Sequence, residues 1–182
     1  YVAGLSEDHL KMILEKIEEK QKIKINTKLP RVAYRETITK DSGLTEYTHK
    51  KQTGGHGQYA KVVLSIAPSE RGALYTFANI VKGGAISKGY VPGIEKGIHE
   101  QMEEGFLAGY PIVDVAVTLI DGKEHPVDSS EMAFKLAGKG AMRAALAKAG
   151  CVLLEPIMSI QIYVDQEYLG AILSDLSSKR GR

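Results

Sequence analysis

The sequence predicts an α+β protein: sheets built from alternating strands, with helices packed on one side. Three observations carry that expectation. Residues 112–120 alternate, with Val113, Val115, Val117 and Leu119 facing one way and Asp114, Ala116 and Thr118 the other, as a half-buried strand requires. Leu10, Ile13, Leu14 and Ile17 recur at i, i+3, i+4 and i+7, an apolar stripe along a helix. A long alanine-rich run closes on Gly150, a helix with its C-terminal stop.

In chain order, Ser6 is placed to cap a helix over residues 6–20, with Glu7 and Asp8 where the helix dipole favours acids. Residues 22–26 alternate lysine with Ile23 and Ile25 and predict a short strand, and residues 32–39 another. Residues 59–66 place Val62, Leu64 and Ile66 on one face of a strand, and residues 74–81 place Tyr75 and Phe77 on one face of the next. Pro92 suits the first turn of a helix carrying Ile94, Ile98 and Met102 and ending at Gly105. Asp121-Gly122 is expected to turn the chain after the strand at 112–120. Asp128 and Glu131 have capping-box spacing at the start of the alanine-rich helix. Met158, Ile160, Ile162 and Val164 predict a last strand, and Leu169, Ile172, Leu173 and Leu176 a last helix capped by Asp165. Residues 1–29 and 151–182 offer too few elements to close a core, whereas residues 30–150 read as a whole domain. The expectation is a piece of a longer protein.

Composition narrows the function. The 182 residues are 43% hydrophobic and 25% charged, so a core can form. A net charge of +2 excludes a generally basic nucleic-acid coat, and any RNA contact must come from a local patch. The single cysteine, Cys151, lies in an apolar run; it predicts a buried structural thiol and fits a reducing, cytoplasmic setting. No apolar run is long enough to cross a bilayer.

The patch that stands out is HKKQTGGHGQYA at residues 49–60: two lysines, two histidines, three glycines and a tyrosine, with no acid. Glycine lets a backbone approach another molecule closely, lysine and histidine suit phosphate, and Tyr59 can stack on a base. The run reads as a mobile basic loop, with Lys50, Lys51 and Lys61 uncompensated; its alternative is a solvated hairpin. Lys135, Lys139 and Arg143 lie four apart on one helical face, where a solubilising surface is favoured over RNA contact. His125 sits among Asp121, Glu124 and Asp128, so pattern alone makes it an exposed loop residue before Pro126. Enzyme signatures fail. AFKLAGKGA at residues 133–141 lacks the first glycine and the magnesium-binding hydroxyl of a phosphate-binding loop and lies inside a helix. The five histidines are not spaced as metal ligands, and no serine sits in a nucleophile elbow. No catalytic residue, cofactor site or metal site is expected here.

Five stretches then point to a family. VAYRETI at residues 32–38, HKKQTGGHGQYA, LAGYPIVD at 107–114, VDSSEMAFKL at 127–136 and LLEPIM at 153–158 occur in the order found in bacterial translation elongation factor G, which the chain resembles over most of its length. The resemblance implies the second half of the family's third domain at residues 1–29, all of its fourth at 30–150 and the opening of its fifth at 151–182. It implies a β-α-β sandwich of the type first seen in a ribosomal protein, with a left-handed crossover, between partial ferredoxin-like domains. It implies that the fourth domain reaches the decoding centre of the small ribosomal subunit and that two tip loops touch tRNA and mRNA during translocation. Gly54, Gly55, Gly57 and Gln58 fall on the first tip loop and His125 on the second; Lys50, Lys51, Lys135, Lys139 and Arg143 are candidate RNA-facing cations. GTP and Mg would belong to the full-length protein, a ribosome-dependent GTPase. His56 stands where the family usually has arginine, and Ala60 where glycine is common. These departures admit an alternative, a divergent paralogue acting in ribosome recycling or protection.

Overall fold

The computed structural model describes residues 4–28, 32–52, 55 and 57–181. It divides into two units, Tyr1–Val32 and Ala33–Arg182.

The first unit is one helix, α1 (Glu7–Gln21). Ser6 caps it by accepting the His9 N–H at 3.2 Å. Leu10, Ile13 and Leu14 are half-buried and no residue of α1 is fully covered. The strand expected at 22–26 does not form. Lys22 takes a left-handed conformation that closes the helix, and Ile25 spends its N–H on Glu18 Oε1 at 2.6 Å. Alternation without a sheet edge to pair with cannot hold an extended segment.

In the second unit the elements run β1 (Arg35–Ile38), β2 (Thr45–Lys51), β3 (Gln58–Pro68), β4 (Tyr75–Asn79), α2 (Val91–Glu104), β5 (Val115–Lys123), α3 (Glu131–Lys148), β6 (Cys151–Leu154) and α4 (Leu169–Ser178). Short 3-10 turns precede α2 and α4. The main sheet has the order β2-β3-β5-β4; β2, β3 and β5 are antiparallel neighbours, and β4 lies parallel to β5. The parallel pair is joined through α2, which makes it a β-α-β unit. Antiparallel and parallel pairs in one sheet, with helices between strands, confirm the α+β class.

Strand alternation builds the core. Val62, Leu64 and Ile66 of β3 and Val115, Val117 and Leu119 of β5 turn to the helices and are shielded from water. Ile94 and Ile98 of α2 and Phe134, Met142 and Leu146 of α3 meet them. The two helices lie close because glycines face the contact: Gly138 admits the Ile94 carbonyl, and Gly97 admits the backbone of Lys135 and Lys139. Beside this layer, β1 pairs antiparallel with β6. Glu36 of β1 is fully buried, and its carboxylate accepts the N–H groups of Phe106, Leu107, Ala108 and Tyr110 at 2.7, 2.8, 2.8 and 3.2 Å. Burial alone would push that carboxyl up; the four donors outweigh it, and the group sits below the ordinary glutamate value.

Several expectations are corrected. β5 begins at Val115 rather than at 112, because Asp114 takes a positive φ and turns its carboxylate onto the N–H groups of Gly72 and Leu74. Asp121-Gly122 is no turn. The strand runs through it, with Ile120 the extra, bulged residue between the pairs Leu119–Leu64 and Asp121–Val63, and Gly122 packs against Ile86 and the Lys61 carbonyl. The last strand lies at Cys151–Leu154, where β1 offers an edge; residues 158–164 are irregular, with Ile160 and Ile162 exposed. The cap of α3 is Ser130, which accepts the Ala133 N–H at 3.1 Å, and Asp128 is released for other work. Asp165 precedes a 3-10 turn without a side-chain cap. Cys151 is half-buried, its Sγ donating to the Leu146 carbonyl at 3.4 Å, and burial pushes the thiol pKa up.

Candidate nucleic-acid interface

The basic run at 49–60 is mostly strand. Thr45–Lys51 and Gln58–Pro68 pair in register, with Lys51 opposite Gln58 and Lys50 opposite Tyr59, and only residues 52–57 make the connection. The expectation of a mobile loop over the whole stretch is corrected to a hairpin with a short tip. Gly55 has φ +85, a conformation other residues adopt at a cost, with open space around the position of a side chain. Gly54 and His56 lie outside the described residues.

The second tip follows β5. Because Lys123 pairs with Lys61, the chain leaving β5 passes beside the first residues of β3. Three hydrogen bonds join the loops: Gly57 N–H to Asp128 Oδ1 at 3.0 Å, Tyr59 N–H to the Asp128 carbonyl at 2.9 Å, and Ser129 Oγ to the Tyr59 carbonyl at 2.7 Å. Tyr59 and His125 meet edge to face, ring centroids 6.1 Å apart. Between the tips lies a cleft of about 240 Å³ lined by Lys50, Lys51, Gln52, Gly57, Gln58, Tyr59, His125 and Asp128.

The loop holding His125 is internally tied. Its N–H donates to Ser129 Oγ at 2.8 Å. The imidazole Nδ1 accepts the N–H groups of Val127 and Asp128 at 3.3 and 3.1 Å. In the neutral ring this leaves the proton on Nε2. Two of the three nearby acids accept hydrogen bonds: Glu124 receives both the N–H and the hydroxyl of Ser87, at 2.9 and 3.0 Å, and Asp128 serves Gly57. On the opposite wall, His49 Nε2 lies 2.9 Å from Gln58 Oε1, a diagonal pair across the hairpin. The sequence reading named none of His49, Asp128 and Ser129 as a site residue, and took Asp128 for a helix cap; the bonds that involve Asp128 and Ser129 span some seventy residues, beyond any local pattern.

The cations divide sharply. Lys50 and Lys51 are exposed at the cleft, and neither is in an ion pair among the described residues. Lys61 is not uncompensated as expected: it pairs with Glu46 at 2.7 Å, and that hydrogen bond pushes its pKa up. Lys135 pairs with Glu100 at 2.6 Å and Lys139 with Glu104, so α2 neutralises the stripe on α3. The Lys135 hydrogen bond holds the Glu100 carboxyl below its ordinary value. Arg143 is exposed on α3, and none of these three lines the cleft.

What remains at the tips is two lysines, an aromatic ring, an amide and an imidazole on a rigid frame. Such a surface binds by charge and hydrogen bonding. Among the described residues no group of three or more histidine, cysteine or acidic side chains is placed to hold a metal, and no helix is long and apolar enough to cross a membrane. The glycine-lysine pair at 138–139 lies within α3.

Comparisons with known proteins agree on one relationship. Residues 30–150 match the family model described as elongation factor G, domain IV, and residues 152–182 the one described as elongation factor G C-terminus. Elongation factor G from two strains of Cereibacter sphaeroides is 49% identical over 178 residues, covering 98% of this chain. The chain spans 25% of the length of those relatives. Among solved structures, a protein from Thermus thermophilus superposes with a TM-score of 0.81 at 37% identity, over 98% of this chain and 26% of that one.

Proposed function

Because this chain belongs to the elongation factor G family, we propose that it is the ribosome-engaging part of a translation factor that promotes movement of tRNA and mRNA. The observation that carries the reading is the pair of tips held together by the bonds of Gly57, Tyr59 and Ser129. Two loops fixed side by side on a sandwich can enter a groove as one body, whereas separate loops would lose conformational freedom on contact.

In this account the tips enter the small-subunit decoding region and contact the tRNA–mRNA duplex and ribosomal RNA. Lys50 and Lys51 supply attraction to phosphate, Tyr59 supplies an aromatic edge, and Gln58 and His125 hydrogen-bond the RNA surface. Gly54, Gly55 and Gly57 let the backbone come close. The tips hold the duplex against backward slip and make or break no bond. In this account GTP and Mg belong to the full-length cytoplasmic protein, where residues outside this chain carry GTP hydrolysis. Residues 1–29 are assigned to the end of the third domain and 151–182 to the start of the fifth.

The test uses the full-length factor. His125→Ala is expected to slow single-round translocation about tenfold, about 1.4 kcal/mol in the barrier, while ribosome-stimulated GTP hydrolysis stays within about twofold of wild type. Equal loss of both activities would refute the reading. Subunit splitting without translocation by the unmodified factor would instead place the chain with a recycling or protection paralogue.

A further inference from the structure

We propose that Asp128 is a positioning residue whose carboxylate holds the first tip against the loop of His125 and makes the two tips a single reader. The proposal rests on the RNA-contacting function argued above and deepens it. Asp128 was readable as a helix cap, but Ser130 caps α3 and Asp128 instead contacts both tips. Its carboxylate accepts from Gly57, its carbonyl accepts from Tyr59, and its own N–H donates to His125 Nδ1. The side chain thereby sets the register of the first tip, while the backbone at this position holds the entry of β3 and, with Val127, occupies Nδ1 of the imidazole.

That arrangement has a chemical consequence. With Nδ1 occupied by two backbone donors, the neutral His125 ring offers Nε2–H to a partner. His49 takes the carbonyl side of the Gln58 amide, so Gln58 offers its amide hydrogens. Both tip side chains are thus presented as donors. Donors match surfaces rich in acceptors, the ribose 2′-oxygens and base-edge nitrogens and oxygens in the shallow groove of an RNA duplex. The Asp128 carboxylate, 31% exposed beside them, opposes a phosphate in the same place. The target of Gln58 and His125 is therefore the sugar and base edge, with phosphate left to Lys50 and Lys51 of the same cleft.

The experiment compares full-length Asp128→Ala, Asp128→Asn, His125→Ala and the Asp128→Ala/His125→Ala double variant in single-round translocation over a range of factor concentrations. Asp128→Ala is expected to lower the saturating rate about five- to tenfold, with the half-saturating concentration and ribosome-stimulated GTP hydrolysis within about twofold of wild type. Asp128→Asn keeps an acceptor for Gly57 and is expected within about twofold of wild type. The double variant should be no more than about twofold slower than the slower single one, because the carboxylate acts by holding the first tip beside His125 so that the two read as one. A wild-type rate for Asp128→Ala beside a slow His125→Ala overturns this proposal alone, as does a multiplicative double variant or an asparagine variant as slow as the alanine one. A wild-type rate for His125→Ala overturns the RNA-reading function itself, and this proposal with it. If Asp128→Ala does not fold, Ser129→Ala, which cuts the link to Tyr59 between the same loops, carries the test with the same expected outcomes.

Discussion

Glu36→Gln tests how much one buried carboxylate holds the second unit together. The change is nearly isosteric, so it opens no cavity and isolates hydrogen bonding. Each carboxylate oxygen accepts two backbone N–H groups: Phe106 and Leu107 on Oε2, Ala108 and Tyr110 on Oε1. A glutamine can serve only one of these pairs, and its NH2 group faces the other, donor against donor. Two part-buried N–H groups losing a charged acceptor cost roughly 1–3 kcal/mol each, and relief from burying the charge returns part of it. The expected net loss is about 3 kcal/mol, which in a chain of this size lowers the melting temperature by roughly 6–12 °C. Urea unfolding of this chain, followed by circular dichroism, measures it. The folded-state pKa lies below the unfolded one, so the stabilisation is complete above the ordinary carboxylate range and is lost as pH falls through the folded-state value. The variant lacks that contribution at every pH, so the difference between the two proteins should shrink below about pH 4. A loss under about 1 kcal/mol at neutral pH, or a difference that does not shrink in acid, would refute the reasoning.

Other residues extend the test. Gly97→Ala would drive a Cβ into the Lys135 carbonyl and to 2.9 Å from the Lys139 nitrogen, contacts with backbone that cannot swing aside. It should cost about 2 kcal/mol in urea melts despite alanine's better helix propensity. Lys135→Ala with Lys139→Ala removes two exposed ion pairs and should change stability by less than about 1 kcal/mol. In the full-length factor the same pair of changes should leave translocation within about twofold, whereas Lys50→Ala with Lys51→Ala should weaken it several-fold at low salt. Cys151, its thiol pKa raised by burial, should react with iodoacetamide more slowly at pH 8 than a cysteine in unfolded chain, and urea should abolish the difference.

Legibility followed burial. β3, α2 and α3 were readable because each sets apolar residues at its own period against one core, as Val62, Leu64 and Ile66 do. β2 was not, because Thr45–Lys51 is polar on both faces and is a strand only by pairing with β3. The reverse error occurred at 158–164, where alternation is present and a pairing edge is not. Asp121-Gly122 has the composition of a turn, yet a bulge and the packing of Gly122 under Ile86 carry the strand through. Asp128 and Ser130 compete for the same cap by sequence, and the choice depends on Gly57, far away in the chain. His125 shows the limit most clearly. Its neighbours in sequence are acids, which argues against phosphate, and only the folded structure shows two of them, Glu124 and Asp128, taken up by Ser87 and Gly57. The family resemblance pointed to His125 where local charge pointed away.

The central claim is that two loops, distant in sequence, face the same RNA. A photoreactive phenylalanine analogue placed at Gln52 in one full-length factor and at Val127 in another, each bound to ribosomes carrying tRNA and mRNA, tests it directly. Both positions are exposed, one on each tip. The account predicts that the two crosslink to the same short stretches of nucleotides in the decoding region. Crosslinks to separate, distant parts of the ribosome, or to protein alone, would contradict it.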